Sequence, residues 1–246
     1  MAFCKKLSSI SFILKEYFKR LSKATEFMAI YDEDNNRLTI KLVYYGPAMS
    51  GKTTNLMRLH DELNTDLKGE IMMMETTNDR TLFFDLLPLG FTTSSGLLIK
   101  FKVYTVPGQV VHDSTRKAVL SRSDGVVFVA DSQTSQSINN GQAFENLEAN
   151  AGRVGLDFDH LPLVIQYNKR DLADIISETE VKERWQQAPW PVTFSNALTG
   201  LWVIETLKAL LKQVYDELNT EFKFSEQHNL TQQEFITQLI GANNIH

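Results

Sequence analysis

The stretch Gly46-Pro47-Ala48-Met49-Ser50-Gly51-Lys52-Thr53 decides the fold of this chain. Its two glycines are separated by four residues and followed by Lys and Thr, which is the pattern of a phosphate-binding loop. In such a loop, backbone N–H groups of the turn and of the following helix surround anionic oxygens. Lys52 is expected to contact the β- and γ-phosphates, and the Thr53 hydroxyl is expected to bind Mg²⁺. The stretch therefore predicts a binding site for the phosphate chain of a nucleotide.

The flanking residues match the strand–loop–helix context that this motif requires. Residues 38–45 predict a strand and residues 52–64 a helix. A glycine-rich turn with a lysine can also arise without binding phosphate, and the flanking elements argue against that alternative. The nucleotide-binding residues predicted in this region are Gly46, Ala48, Met49, Ser50, Gly51, Lys52, Thr53 and Thr54.

Strand-like and helix-like segments alternate along the rest of the chain. Residues 27–31 and 37–45 predict a hairpin that leads into the phosphate loop. The further strands are predicted at 82–87 (ended by Pro88), 97–106, 124–131, 161–167 and 191–195, and the further helices at 138–154, 178–187 and 201–219. This alternation predicts an α/β fold with a mostly parallel sheet, helices on both faces and an N-terminal hairpin strand.

Composition limits the classes of function. The chain has 246 residues, 43% of them hydrophobic, which suits one core-bearing domain with appendages. A net charge of −5 argues against a nucleic-acid-binding protein. No apolar run reaches the length of a membrane span, and a lone cysteine, Cys4, suits a reducing cytoplasm. A cytoplasmic protein is therefore expected.

The two ends of the chain form extensions to the expected domain of residues 28–220. Residues 1–24 carry six cations and one carboxylate, and apolar residues recur there at helical spacing. A basic amphipathic helix in residues 1–27 suits peripheral contact with a membrane surface. The alternatives are a helix docked on the chain's own domain and a segment that lies outside the functional product. In the extension 221–246, Thr231 and Glu234 form a capping-box pattern that predicts a short helix. We interpret this helix as packed against the domain and not as part of a site.

A second motif, Asn168-Lys169-Arg170-Asp171, follows a predicted buried strand. Binding loops in α/β sheets lie at this end of the strands. The Asp171 carboxylate can accept hydrogen bonds from N1–H and the 2-amino group of guanine, and adenine offers neither donor. Alone, such a tetrapeptide can be an ordinary turn; downstream of a phosphate loop it indicates guanine. The backbone N–H of Ala197 falls where it can donate to guanine O6. The sequence around Ala197 does not specify this contact without the other motifs.

These motifs together resemble the MglA group of bacterial Ras-like small GTPases, which are polarity switches of gliding and pilus-driven motility. The resemblance extends from about residue 28 to 219 and is carried by residues 44–47, 51–56, 79–85, 104–109, 124–133 and 165–172. It implies a small G domain of the phosphate-loop nucleotidase class that binds GTP or GDP with Mg²⁺. It also implies a switch protein with a dimeric roadblock-type partner that accelerates hydrolysis.

The resemblance carries over the following catalytic roles. Thr81 would bind Mg²⁺ and sense the γ-phosphate, and Gly108 would contact that phosphate through its amide. Gln109 would orient the attacking water, and Arg80 would act as an arginine finger supplied by the chain itself. Read without the family, Arg80 is an ordinary surface arginine.

The chain departs from the common Ras-like pattern at two positions of the site. Thr105-Val106-Pro107-Gly108 stands where ordinary Ras-like chains have Asp-x-x-Gly, so the Mg²⁺-side carboxylate is missing, as is usual in the MglA group. Asp85 is a candidate substitute, with a strand-end turn residue as the alternative interpretation. Ala48 occupies a position where most Ras-like proteins have Gly, and its methyl group bears on hydrolysis more than on binding.

We therefore expect a small GTPase that hydrolyses GTP slowly and controls cell polarity or motility through its partners. The alternative is a GTP-dependent interaction module with negligible hydrolysis, which Ala48 makes conceivable. A nucleotide kinase is disfavoured because neither a lid nor an acceptor site is recognisable.

Overall fold

The structure, a computed structural model, describes residues 29–75, 83–108 and 113–241. The predicted N-terminal helix and the predicted site residues Arg80, Thr81 and Gln109 lie outside these ranges. The strands are β1 (Ile30–Asp32), β2 (Arg37–Tyr45), β3 (Met72–Glu75), β4 (Phe83–Thr92), β5 (Leu98–Thr105), β6 (Gly125–Asp131), β7 (Leu163–Asn168) and β8 (Val192–Phe194). The helices are α1 (Lys52–Glu62), α2 (Asp113–Leu120), α3 (Ser137–Arg153), α4 (Glu178–Trp185), α5 (Val203–Phe222), α6 (Phe224–Gln227) and α7 (Gln232–Ile240).

The described strands form one sheet in the order β3-β4-β5-β2-β6-β7-β8, with β1 paired to β2. Strands β5, β2, β6, β7 and β8 are parallel to their neighbours within this run. Strand β1 is antiparallel to β2, β3 to β4, and β4 to β5. The predicted α/β fold with a mostly parallel sheet and an N-terminal hairpin strand is confirmed.

The central strand β2 shows why the sheet is covered on both faces. Leu42 and Tyr44 belong to the core cluster formed with α1, α5 and the C-terminal helices. Val43 and Tyr45 belong to a second cluster, formed with α2, α3 and α4. Because successive side chains of a strand point to opposite faces, an apolar run buries both of its faces.

Strand β4 corrects one prediction, because it continues through Pro88 instead of ending there. The Pro88 carbonyl oxygen accepts a hydrogen bond of 2.9 Å from Gly69 N. In an extended strand the N and O atoms of one residue point to the same side, so the missing N–H of Pro88 faces away from β5. That side of β4 lies beyond the end of β3, where proline removes no strand-to-strand hydrogen bond.

The C-terminal segment is part of the main core. Thr231 and Glu234 form the predicted capping box at the start of α7. Phe235 of α7 is fully buried and lies 5.5 Å from the ring of Phe101 on β5 and 5.4 Å from that of Tyr215 on α5. Helix α7 therefore extends the layer formed by α5 on one face of the sheet.

Three elements, β3, α2 and α6, were not predicted. Strand β3 and helix α6 have four residues each, too few for a clear periodic signal, and α2 has eight residues. Among the helices that the structure describes, none is both long enough and apolar enough to span a membrane.

Candidate nucleotide-binding site

The phosphate loop lies at the carboxyl end of β2 and opens into a cavity of about 460 Å³. The cavity is lined by Ala48, Met49, Gly51, Lys52, Thr53, Thr54, Asp85, Thr105, Val106, Pro107 and Gly108.

Two of the predicted glycines are required by the backbone conformation of the loop. Gly51 has φ +99°, and a Cβ there would overlap the Asn168 side-chain amide. Gly46 has φ +145°, and a Cβ there would overlap the Val129 carbonyl.

Lys52 begins α1 and is buried at the base of the loop. Its Nζ donates hydrogen bonds to Pro47 O at 2.6 Å and to Gly46 O at 3.1 Å. The pKa of Lys52 is lowered to about 7, mainly by burial and also by the nearby charge of Arg116, while the Asp85 carboxylate acts in the opposite direction. The ammonium group therefore lies in a desolvated place where an anionic ligand stabilises its charge.

Asp85 lies beside Thr53, as a Mg²⁺-side carboxylate requires. Its Oδ2 accepts hydrogen bonds from Thr53 Oγ1 at 2.7 Å and from Thr105 Oγ1 at 3.0 Å. Asp85 is buried and is the third residue of β4, so it does not lie in a strand-end turn. Hydroxyl and carboxylate oxygens are ligands that Mg²⁺ prefers, so this pair fits the ion that the family implies. No cluster of three His, Cys, Asp or Glu side chains within the described ranges offers another metal site.

Gly108 packs directly on Ala48. A Cβ at position 108 would overlap the Ala48 backbone and would lie 3.0 Å from the Ala48 methyl carbon. The methyl group that distinguishes this chain from most Ras-like proteins therefore stands beside the residue predicted to sense the γ-phosphate. This contact brings the two predicted positions to one wall of the cavity.

Asn168 connects the phosphate loop to the predicted base-binding loops. Its Nδ2 donates to Ser50 O at 2.9 Å, and its Oδ1 accepts from Ser195 Oγ at 3.1 Å. Lys169 follows in the left-handed region with φ 67°, and its Nζ forms an ion pair of 2.6 Å with Asp131 Oδ2. Asp171, two residues further along the chain, is exposed. A carboxylate that accepts hydrogen bonds from a bound base must be accessible in this way.

The Ala197 amide already has a hydrogen-bond partner within the protein. Its N–H donates to Asn168 Oδ1 at 2.9 Å, so this donor is engaged within the protein. Contact of the same N–H with guanine O6 would require the hydrogen bond to be shared or exchanged. Ala197 nevertheless lies beside the base-binding motif, because its partner Asn168 is the first residue of that motif.

Several site residues were not singled out from the sequence. Asp131 ends a buried parallel strand. Binding residues often lie at the carboxyl ends of such strands, so the sequence did offer a reason to single out Asp131. Arg116 had no such signal because its helix was not predicted. Arg116 is fully buried, and its guanidinium carbon lies 4.5 Å from the centre of the Tyr45 ring. Tyr45 is the residue directly before the phosphate loop.

Comparison with known proteins agrees with this geometry. The model of the ADP-ribosylation factor family matches residues 27–214. The mutual gliding-motility protein MglA of Myxococcus xanthus (strain DK1622) is 42% identical to this chain over 191 residues, which cover 78% of this chain and 98% of that protein. The family match contains the phosphate loop and Asn168–Asp171, and it ends inside α5, before α6 and α7.

Proposed function

The chain belongs to the ADP-ribosylation factor family as an MglA-type Ras-like GTPase, and on that basis we propose that it is a slow GTP-hydrolysing switch that controls cell polarity or motility. The observation that carries the proposal is a pair of hydrogen bonds made by Asn168, whose Nδ2 donates to Ser50 O and whose Oδ1 accepts from Ala197 N. They unite the phosphate loop and both predicted base-binding loops in one site, which supports binding of an entire guanine nucleotide rather than a phosphate alone.

Guanine selection is assigned to Asp171. Its carboxylate would accept from N1–H and the 2-amino group, and adenine would leave it unpaired. Wild-type protein is expected to bind GDP and GTP far more tightly than ATP. Asp171→Asn is expected to lose guanine nucleotides and to gain xanthine nucleotides, because their 2-oxo group accepts from the new amide. Titration with fluorescent GDP, XDP and ADP analogues tests this, and equal affinity of the wild type for GDP and ADP would refute guanine selection.

For the cofactor, we propose that Thr53 and Asp85 hold Mg²⁺ together with Thr81. The 2.7 Å contact between the Thr53 hydroxyl and the Asp85 carboxylate supports this assignment. Bound there, Mg²⁺ would neutralise developing charge on the phosphate oxygens. Lys52 would supply the fixed positive charge beneath the β- and γ-phosphates.

For hydrolysis, we propose that Arg80 and Gln109 complete the site from two different loops. Gln109 would orient water and Arg80 would neutralise charge on the leaving phosphate, and the two loops must be in place together. The intrinsic rate is therefore expected to be low, and a roadblock-type dimer need only stabilise both loops. An arginine finger contributes about 10³–10⁵ in rate.

Single-turnover GTP hydrolysis with and without such a dimer tests this assignment. Arg80→Ala and Gln109→Leu are each expected to abolish most of the stimulated turnover while GTP affinity stays nearly unchanged. Full stimulated turnover in Arg80→Ala would show that Arg80 is a surface residue and that the partner supplies the charge.

A GTP-dependent interaction module with negligible turnover is the second candidate. The position of the Ala48 methyl group beside Gly108 supports it, because Gly108 is the residue predicted to contact the γ-phosphate. Stimulated turnover by the wild type in the assay above would exclude this candidate.

Control of polarity or motility is proposed from the name of the Myxococcus xanthus relative, a gliding-motility protein. The proposed partner is a roadblock-type dimer. Deleting the gene and tracking cell reversal and pole selection tests the cellular role. Unchanged movement and polarity in the deletion strain would contradict it.

Residues 1–27 are proposed to bring a cytoplasmic protein to an anionic membrane surface. The six cations of this segment each contribute about 1 kcal/mol near a charged leaflet. Full-length protein and a variant starting at Met28 are compared by co-sedimentation with vesicles containing phosphatidylserine. The full-length chain should sediment more strongly, with equal GDP binding in both. Indistinguishable sedimentation would contradict membrane recruitment.

A further inference from the structure

Arg116 of α2 is a buried cation that has no acidic partner among the described residues. Its side chain has 0% exposure. The three guanidinium nitrogens have no hydrogen-bond acceptor in the structure as described. A buried charge without a partner destabilises a protein, because it loses hydration and gains no equivalent interaction. The arginine therefore needs a compensating interaction that the described residues do not supply.

The neighbouring acidic side chain on the same helix is committed elsewhere. Asp113 pairs with Lys117 at 3.3 Å and with Arg153 at 3.4 Å. Asp113 also accepts a hydrogen bond of 2.7 Å from Asn150. The described contact of the Arg116 guanidinium is the face of Tyr45, at 4.5 Å from the ring centre. A cation over an aromatic face gains less than it does in a hydrogen-bonded ion pair.

The position of Tyr45 places Arg116 directly behind the phosphate loop. Tyr45 is the last residue of β2 and precedes Gly46. Its hydroxyl is held by Asn146 at 2.6 Å and Asn150 at 3.1 Å, so the ring that faces Arg116 is fixed between β2 and α3. Lys52 is buried as well, so a buried cation lies at each end of the phosphate loop, with Arg116 against Tyr45 and Lys52 at the start of α1.

We propose that Arg116 is a positioning residue of the nucleotide site, a buried cation that is compensated when the phosphate chain of the nucleotide is bound. It acts through the electrostatic field and through the Tyr45 ring at the root of the phosphate loop. Its contribution increases with the number of phosphate charges and does not involve the base. This inference rests on the proposed guanine-nucleotide site and adds to it a residue that favours phosphate binding.

Such a role predicts opposite effects on stability and on binding. Removing the charge relieves an unpaired buried cation in the ligand-free state, so Arg116→Met is expected to raise the thermal midpoint of the nucleotide-free protein. The same substitution is expected to weaken GDP at least tenfold and a non-hydrolysable GTP analogue more, while guanosine affinity is unchanged. Arg116→Lys, which retains the charge, should recover part of the phosphate-dependent affinity.

The experiment measures competition of guanosine, GMP, GDP and the GTP analogue against fluorescent GDP, with thermal unfolding of the nucleotide-free proteins. Lys117→Met, on the same helix but partly exposed, is the matched control and should change affinity less than twofold. A structural role would lower the thermal midpoint and weaken guanosine as much as GDP, and this result would overturn the inference. Unchanged GDP affinity in Arg116→Met would also overturn it. If the wild type fails to bind GDP, the proposed site itself is wrong.

Discussion

Thr53 Oγ1 on α1 donates a hydrogen bond of 2.7 Å to Asp85 Oδ2 on β4. The same oxygen accepts from Thr105 Oγ1, the residue that stands where common Ras-like chains have an aspartate. Asp85 N in turn donates to Thr105 Oγ1 at 2.9 Å, because β4 and β5 are antiparallel neighbours. The chain thus has no carboxylate at the end of β5 but carries one on the adjacent strand, at the same side of the cavity.

Asp85→Asn is expected to weaken the Mg²⁺ dependence of nucleotide retention. The amide keeps the shape of the side chain but removes the charge, so the Mg²⁺ concentration needed to slow GDP release should rise about 10- to 100-fold. Stopped-flow measurement of GDP release across a Mg²⁺ titration checks this. Asp61→Asn, an exposed acid on the same helix as Thr53, is the control. An unchanged Mg²⁺ requirement in Asp85→Asn would exclude Asp85 from the metal site.

Ala48→Gly is expected to raise the rate of GTP hydrolysis about tenfold, which corresponds to about 1.4 kcal/mol of barrier. The substitution removes the methyl group beside Gly108 and leaves room for the groups that must approach the γ-phosphate. GDP affinity should change little, because the backbone of the loop remains. Single-turnover assays with and without the roadblock-type partner measure the rate. No increase in either condition would show that the methyl group does not limit hydrolysis.

Asp124 makes the stability of the protein dependent on pH. It is buried next to β2, accepts a hydrogen bond of 2.7 Å from Lys41 N, and burial raises its pKa from 3.8 to about 7. The folded state therefore holds this proton more tightly than the unfolded state does. Stability from this group is present at low pH and is lost as the pH rises from about 4 to about 7. Burial also lowers the pKa of Lys41 to about 8, with Lys102 and Arg122 acting in the same direction and Asp124 against it.

Urea unfolding between pH 4 and pH 7 checks this sign. The free energy of unfolding of the wild type should fall relative to that of Asp124→Asn over this interval. Glu148→Gln, at an exposed position of α3, should follow the wild type. Parallel pH profiles of the wild type and Asp124→Asn would contradict the assignment.

Phe235→Ala is expected to lower the free energy of unfolding by about 3–5 kcal/mol, the usual effect of removing a buried aromatic ring. The ring is fully buried and lies 5.9 Å from the ring of Phe224 and 6.1 Å from that of Phe91. Gln238→Ala, at an exposed position of the same helix, should change stability by less than about 0.5 kcal/mol. Denaturant unfolding followed by circular dichroism measures both. A loss below about 1 kcal/mol in Phe235→Ala would show that α7 contributes little to the core.

The sequence alone determined the parts of the molecule that depend on neighbouring residues. The spacing of Gly46, Gly51 and Lys52 specifies a loop whose positive φ angles and N–H groups suit phosphate. The apolar runs at the end of β2 and in β6 specify strands with two buried faces, because successive side chains of a strand point to opposite sides. Thr231 and Glu234 are three residues apart, so their capping box was also readable in advance.

Only the tertiary structure decided relationships between residues that are distant along the chain. Asp85 reaches Thr53 because β4 pairs antiparallel with β5 beside the phosphate loop. Pro88 is tolerated within β4 because its N–H side lies beyond β3. Arg116 acquires its buried position from the packing of a helix that was not predicted from the sequence. Local spacing encodes backbone conformation, whereas strand order and helix packing decide which distant side chains meet. The sequence therefore offered Asp85 as a candidate, but its contact with Thr53 and the burial of Arg116 became visible only in the folded chain.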